Sequence, residues 1–471
     1  MAITDESEQI RQVTAYPGRP PVPVRRGAGA PFGWWPAICV ALVAAIDRIE
    51  YNLLAGALPT IQEEFGFSDS EGGAIATAGA LAAIVLLLPA GKLADTGRRT
   101  WTISAVVAVW ALLTVGTGLA GTYATLFAVR VLLGAAGQLY NPPSSSLLGD
   151  LYPGPGRARA YGYERMAYFA GLPIGVIAGG ALAQTVGWRT GFFLVAVPGI
   201  IIAILVLTIR EPVRGVGDDL SRWYDDSSGA AASGGAAAAS GGAGASPEGA
   251  GAALDGAGAA EPVAPMRVQL VTLLRIRTLR SVILGLSILF FGLGGLFFWM
   301  PSFYTREFGL PEASAAAVGG GAGLVGIVAG ILAGSWLGDR LHQHRVAIGG
   351  WSLLFGTVFL AGAVSVPVLA PQAVCFTLAN VGFAAAIANL TAANADVVAA
   401  DRRGLGFAVL QLLVTLGGAL GPWLIGLASD ATGSLRLAYT VVLIPLVIGS
   451  LIVLRGQRTY RQDAAAALNE R

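Results

Sequence analysis

Long apolar runs alternate along the chain with short polar breaks rich in arginine, glycine and proline. A helix needs roughly 20 apolar residues to cross about 30 Å of hydrocarbon. That template predicts twelve spans, over 34–58, 74–94, 101–121, 123–149, 158–186 and 189–209, then 279–305, 313–338, 346–366, 371–396, 404–430 and 435–455. Residues 1–33 carry Asp5, Glu6, Glu8, Arg25 and Arg26 with Pro17, Pro20, Pro21 and Pro23, and lack the apolar core of a signal peptide. They read as a disordered tail. Residues 210–278 divide the spans into blocks at 34–209 and 279–455, and 456–471 form a closing tail. The stretch Ser227–Pro265 is built from glycine, alanine and serine, too poor in large side chains to offset its ordering entropy, so it reads as a flexible tether. Amphipathic character returns at Val268–Leu279, as an interfacial helix with Arg275, Arg277 and Arg280.

Composition narrows the class. Hydrophobic residues make up 55% and charged residues only 12%, against about 25% charged in soluble domains. So little charge cannot coat a water-soluble surface of this size, which excludes a soluble enzyme, a nucleic-acid binder and a disordered scaffold. The fold class expected is an all-α polytopic membrane protein in the lipid bilayer. A net charge of +2 calls for no polyanionic partner such as nucleic acid. Cys39 and Cys375 lie in apolar runs, and His342 and His344 stand in a basic loop that offers no further zinc ligand. No cofactor or metal is expected, and no nucleophile–base arrangement suggests an enzyme.

Arginine and lysine resist translocation and gather on the cytoplasmic side. Lys92, Arg98, Arg99, Arg157, Arg159, Arg210, Arg214, Arg340, Arg345, Arg402, Arg403 and Arg455 would face that side under this threading. Only Arg189, Arg306 and Arg436 face the other, where the first loop is acidic with Glu63, Glu64, Asp69 and Glu71. Both termini are therefore expected in the cytoplasm of a cell with an inner (cell) membrane location.

The halves echo each other. Gly91-Lys92-Leu93-Ala94-Asp95-Thr96-Gly97-Arg98-Arg99 follows the second span, and Gly334-Ser335-Trp336-Leu337-Gly338-Asp339-Arg340 follows the eighth. Arg130 with Gly134 recurs in span 4, and Gly171-x-Pro173-x-Gly175 with Gly179 and Gly180 in span 5. Together these motifs resemble the major facilitator superfamily over roughly 34–455. The resemblance implies two pseudo-symmetric six-helix bundles around a central cavity, exchanging access by rocking. It assigns Gly91, Asp95, Arg98, Arg99, Asp339 and Arg340 to a conformational switch of contacts between the halves.

A narrower resemblance is to the spinster-type transporters. It rests on Asp47-Arg48, on Ala55-Gly56-x-Leu58-Pro59 through Gly66, on Gly149-Asp150-Leu151-Tyr152, on Trp299-x-Pro301, and on Arg402-Arg403-Gly404 through Ser429-Asp430. It implies a lysophospholipid or sphingoid substrate moved with protons. The span-4 glutamate of that family aligns with Gly137, beside Gln138, so its proton role is absent or relocated here. Organic-anion facilitators share the Asp-Arg pair and Gly187-Trp188-Arg189.

Ionisable groups at membrane depth cost at least about 2.5–3.5 kcal/mol each and are functional candidates by default. Asp47 and Glu50, three apart, share a helix face, with Arg48 turned about 100° away. The depths of Glu50 and Arg130 match, giving an Arg130–Glu50 or Arg130–Asp47 pair that protonation or substrate would break; a permanent structural ion pair is the plainer alternative. Asp47, Arg48, Glu50 and Arg130 are thus the coupling and binding candidates. Tyr51, Gln138, Tyr140, Glu164, Arg165, Trp299, Tyr304, Asn380, Asn389 and Gln411 are possible cavity or gate residues, and Asn394 a further polar candidate. Charge in one bundle and neutral walls in the other suit a small amphipathic substrate, carried with protons by a monomer. An organic-anion or drug facilitator and a transport-dead sensor are the competing readings.

Overall fold

The computed structural model describes residues 10–137, 139–224, 266–398 and 403–469; of 87–96, 154–155, 158, 266–270, 342, 403–404, 408 and 468–469 it describes the backbone alone. The first half holds α1 (Trp35–Phe65), α2 (Asp69–Thr96), α3 (Arg99–Gly118), α4 (Tyr123–Gly137), α5 (Asn141–Leu151), α6 (Gly154–Thr185) and α7 (Trp188–Leu207). After α8 (Met266–Arg275), the second half holds α9 (Arg277–Phe308), α10 (Glu312–Arg340), α11 (Arg345–Ser365), α12 (Leu369–Asp396), α13 (Arg403–Thr432) and α14 (Leu435–Asn469). Among the described residues, ten helices are long and apolar enough to cross a membrane. The other two crossings carry the polar anomalies. Helix α1 is long enough but holds Asp47, Arg48 and Glu50, and the fourth crossing is split between α4 and α5.

That split corrects the continuous span expected over 123–149. Helix α4 stops at Gly137, and α5 restarts at Asn141 with Pro142 and Pro143 in its first turn. Proline has no N–H and clashes with the preceding turn, so two in sequence forbid continuation but suit a helix start. Gln138 lies outside the described residues.

Small residues decide which helices touch. Helix α6 lies along α1 through Gly171, Gly175 and Gly179: a Cβ on Gly175 would come within 2.4 Å of the Ile49 carbonyl, and one on Gly179 within 2.3 Å of that of Leu53. The glycine motif of span 5 therefore positions the charged helix. In the second half α10 meets α12 in the same way, with a Cβ on Gly330 reaching 2.3 Å from the Val381 carbonyl. The halves join where α2 packs on α13, α6 on α10 and α1 on α9.

The amino-terminal segment, expected to be without structure, is ordered from Ile10. Strands β1 (Ile10–Val13) and β2 (Val22–Arg25) pair antiparallel. The hairpin is held by the segment that leaves α7: Val213 N–H donates to the Ala15 carbonyl at 2.9 Å, and Arg26 Nη2 to the Trp223 carbonyl at 2.8 Å. Alternation in Val22-Pro-Val24-Arg25 buries Val24. Of the expected tether, 225–265 lies outside the described residues, and the interfacial helix begins at Met266 and ends at Arg275.

Candidate functional site

Glu50 is completely buried and Arg130 is 5% exposed. Of the two pairings open to Arg130, the structure holds the one with Glu50: Arg130 Nη1 donates to Glu50 Oε1, and Nη2 reaches the Tyr51 carbonyl at 3.4 Å. The guanidinium also lies 5.8 Å over the Phe192 ring. Glu50 Oε2 has no protein partner. A single charge-assisted contact in a dry site leaves half of the carboxylate unsatisfied, which makes the pair sensitive to any proton or polar group that reaches it.

Asp47 pairs within its own helix. Arg48 was expected to point away from it; instead the guanidinium curls back and Nε donates to Asp47 Oδ2 at 2.8 Å. A long side chain can recover the roughly 100° between successive residues when the alternative is a bare charge in oil. The same guanidinium lies between Tyr168 and Tyr51, 4.8 and 5.2 Å from their ring centres. Asp47 also faces the helix break, where a Cβ on Gly137 would sit 3.0 Å from its Oδ1. Beside that glycine is a void of about 10 Å³ lined by Asp47, Trp110 and Tyr140 among apolar side chains.

Several cavity candidates have other duties. Trp299 Nε1 donates to the Pro422 carbonyl at 2.8 Å, and its ring abuts Gly72 of the first half. It sits at the seam between the halves. Asn389 Nδ2 bonds the carbonyls of Gly334 and Ala385, both at 2.9 Å, and Asn380 bonds that of Phe376 at 2.9 Å. Both are buried and serve their helices, α12 and its neighbour. Tyr304 is buried inside the second half on a void of about 10 Å³ shared with Gln372. Gln411 is exposed and bonds Thr415 at 3.1 Å. Glu164 is buried and pairs with the exposed Arg165 at 3.2 Å.

Among the described side chains, the expected switch residues hold no hydrogen bond between the halves. Arg99 donates to Ser146 at 2.9 Å and Asp150 of the first half and to Glu211 at 2.8 Å, just beyond it in the segment that leaves α7. Burial alone would raise the Glu211 carboxyl, but the Thr100 N–H and the Arg99 guanidinium outweigh it and hold it below the usual carboxylate range. Asp339 is exposed beside Arg345 at 3.6 Å, and Arg340 stacks 4.3 Å over Trp336. Arg98 is exposed. Asp396 accepts from Arg345 at 2.9 Å and Tyr460 at 2.6 Å. Of Gly91 and Asp95 only the backbone is described, so the Asp95 carboxylate lies outside the described atoms.

The described hydrogen bonds between halves lie instead toward the opposite, acidic end. Arg306 of α9 grips Asp69 of α2 with two bonds of 2.7 Å and reaches Gln62 at 3.0 Å. Ser429 donates to Asp69 at 2.6 Å, and Asp430 accepts the N–H groups of Asp69 and Ser70 at 3.0 and 2.8 Å. A carboxylate of one half thus caps the exposed N–H groups of a helix from the other. Glu312 accepts from Thr60 N–H and Oγ1 at 2.7 and 2.6 Å. Pairing over such sequence distances left no local signal, so the loop acids and Arg306 read only as sidedness markers.

The sequence profile of the Major Facilitator Superfamily matches residues 40–371 and 332–469. The chain belongs to that superfamily. Protein spinster homolog 3 of Danio rerio is 25% identical over 91% of this chain and 86% of its own length. Protein spinster of Drosophila melanogaster is 25% identical over 42% of this chain. The tetracenomycin C resistance and export protein of Streptomyces glaucescens is 31% identical over 38% of this chain. The match spans only 34% of the length of each of these last two. Among solved structures, a bacterial homolog of the human lysosomal transporter Spinster, in an inward-facing and unoccupied conformation, superposes with a TM-score of 0.75. It is 22% identical and covers 91% of this chain and 98% of that one, which shows the shared fold. Within the superfamily the chain is related to the spinster group.

Proposed function

We propose that this transporter is a proton-coupled secondary carrier of an amphipathic, lipid-like molecule of lysophospholipid or sphingoid type, working by alternating access. The observation that carries the reading is the pair of buried acid–arginine contacts, Asp47–Arg48 and Glu50–Arg130, in the first half. A carboxylate that loses its partner in low dielectric takes up a proton readily, which gives a gradient its point of entry. Neutral, largely apolar side chains of the second half suit an acyl or aromatic body. The bonds closing the acidic end support a resting state open toward the basic end. With the basic end and both termini in the cytoplasm, as arginine placement favours, that state faces inward across the cell membrane. The chain acts as a monomer.

Reconstituted protein should move labelled lysophosphatidylcholine faster under an imposed pH difference. Asp47→Asn and Glu50→Gln should each flatten the dependence on pH; an unaltered profile in both removes proton coupling from the reading. A second reading, an organic-anion or drug facilitator, is favoured by the export protein among the relatives and by the arginines Arg48 and Arg130, suited to carboxylate or phosphate groups. Uptake of a dicarboxylate or of tetracenomycin C without lysolipid flux would select it, and no flux of any solute would select a sensor.

A further inference from the structure

We propose that Glu312, where α10 begins, is a proton-binding site separate from the charged cluster of α1, and that a proton there fastens the closed acidic end. The inference goes beyond the carrier reading: it concerns closure between the halves and holds whether or not Asp47 and Glu50 couple transport to protons.

Glu312 is the first residue of α10, one position before the span expected over 313–338. Its backbone meets α6 closely. A Cβ on Gly180 would come within 2.6 Å of the Glu312 carbonyl, and the Ala313 N–H donates to Gln184 Oε1 at 3.2 Å. The carboxyl is thereby set against α1. There Thr60, next to the helix-bending Pro59, donates both its N–H and its hydroxyl to Oε1. The other oxygen, Oε2, is buried and has no hydrogen-bond partner. Among the described residues, the one charged group acting on this carboxyl is Glu63 of α1, a like charge, and α6 offers it only the neutral Gln184. A helix N-terminus favours an anion, but the described bonds of this side chain run to Thr60 and not to the first N–H groups of α10.

A carboxylate with one oxygen bonded and the other dry, and with no cation beside it, is poorly placed to keep its charge. Burial, helped by Glu63, pushes the Glu312 carboxyl above its usual range in spite of the two Thr60 bonds. Opening the acidic end would part Glu312 from Thr60 and give both oxygens to water. An acid held higher in the closed state adds to closure below its open-state range, and that contribution is lost as pH rises through the closed-state one. Asp69, across the same seam, has the opposite sign. Burial alone would raise it, but Arg306, Ser429 and Gln62 outweigh burial and hold it low, while Asp430 accepts its N–H. Asp69 therefore stays charged while Glu312 titrates. Above the usual carboxylate range, the pH dependence of closure at this seam belongs to Glu312.

The test uses the full chain in lipid nanodiscs, in a Cys39→Ala, Cys375→Ala background with spin labels at Thr122 and Thr432, exposed on opposite halves at the acidic end. Between alkaline and mildly acidic buffer the short-distance population should rise. Its ratio to the long one should change about tenfold if closure raises the carboxyl's midpoint by one pH unit. Glu312→Gln keeps an acceptor for Thr60 without the charge, so it should show the acid-form ratio at both pH values. The rise should persist when Asp47→Asn and Glu50→Gln are combined. No rise in the labelled background, an equal rise in Glu312→Gln, or loss of the rise in the Asp47–Glu50 double variant overturns the proposal; the first of these needs no variant of the site to fold. Lysolipid flux that ignores pH, beside a normal rise, would instead sink proton coupling alone.

Discussion

The two halves share a scaffold and differ in what they bury. Helices α1 and α9 both end at a left-handed glycine, Gly66 and Gly309. Aligning these caps sets Gly91 opposite Gly334, and sets Asp47, Arg48 and Glu50 opposite Phe290, Phe291 and Leu293. Each half also keeps a void about one water in size among its first, third and fourth crossings. In the first half the void touches Asp47, and in the second the neutral Tyr304, Gln372 and Tyr439. The repeat thus holds fixed the positions where backbones must approach or turn. It leaves free which bundle carries charge, and here one bundle carries it all at that depth.

The largest effect should come from unpairing the charged half. Arg130→Met leaves Glu50 buried without its partner, a change that costs about 3–5 kcal/mol where both groups are buried. Thermal unfolding in detergent should fall accordingly and lysolipid flux should vanish. Adding Glu50→Gln should restore most of the stability and none of the flux; if the single variant stays as stable as the parent, the contrast between halves has no energetic content.

An intermediate effect is expected at the seam. Arg306→Gln removes the fork on Asp69 and weakens closure of the acidic end by roughly 1.5–3 kcal/mol, the scale of hydrogen bonds to charged groups. Spin labels at Thr122 and Thr432, exposed on opposite halves at that end, should show a longer distance population. An unchanged distance distribution would mean that the glycine contacts alone hold the halves shut.

The smallest effect concerns Glu211, whose folded carboxyl is held below its unfolded value. Its contribution is therefore complete above the unfolded range and is lost as pH falls through the folded one. Glu211→Gln should lack that increment, so its unfolding midpoint should decline less on acidification than that of the parent. Equal declines would show that the Arg99 cluster does not stabilise the first half through this acid.

Most of the architecture was legible because span length and arginine placement are properties of the chain itself. Depth alone placed Arg130 beside Glu50 or Asp47, since each residue advances a helix by a fixed rise, and the structure holds the pair with Glu50. The broken fourth crossing was missed although Pro142-Pro143 marks it, because the apolar run around it was long enough for one helix. The hairpin at Ile10–Arg25 owes its order to contacts with residues near 213–224, which no local pattern reports. The side that Trp299 faces was not legible for a related reason: an aromatic in a membrane helix looks the same whether it faces a cavity or a neighbouring backbone. The switch expected at Arg98–Arg99 and Asp339–Arg340 names the end opposite to the one bonded here.

The seam at the acidic end has one more consequence. A Cβ on Gly73 would come within 2.3 Å of the Pro422 carbonyl, and one on Gly426 within 2.3 Å of that of Asp69. Main chain therefore meets main chain there, with no room for a file of water molecules. A carrier coupled to a gradient, as proposed above, short-circuits if ions can leak around its cargo, and these two missing side chains would be its electrical insulation.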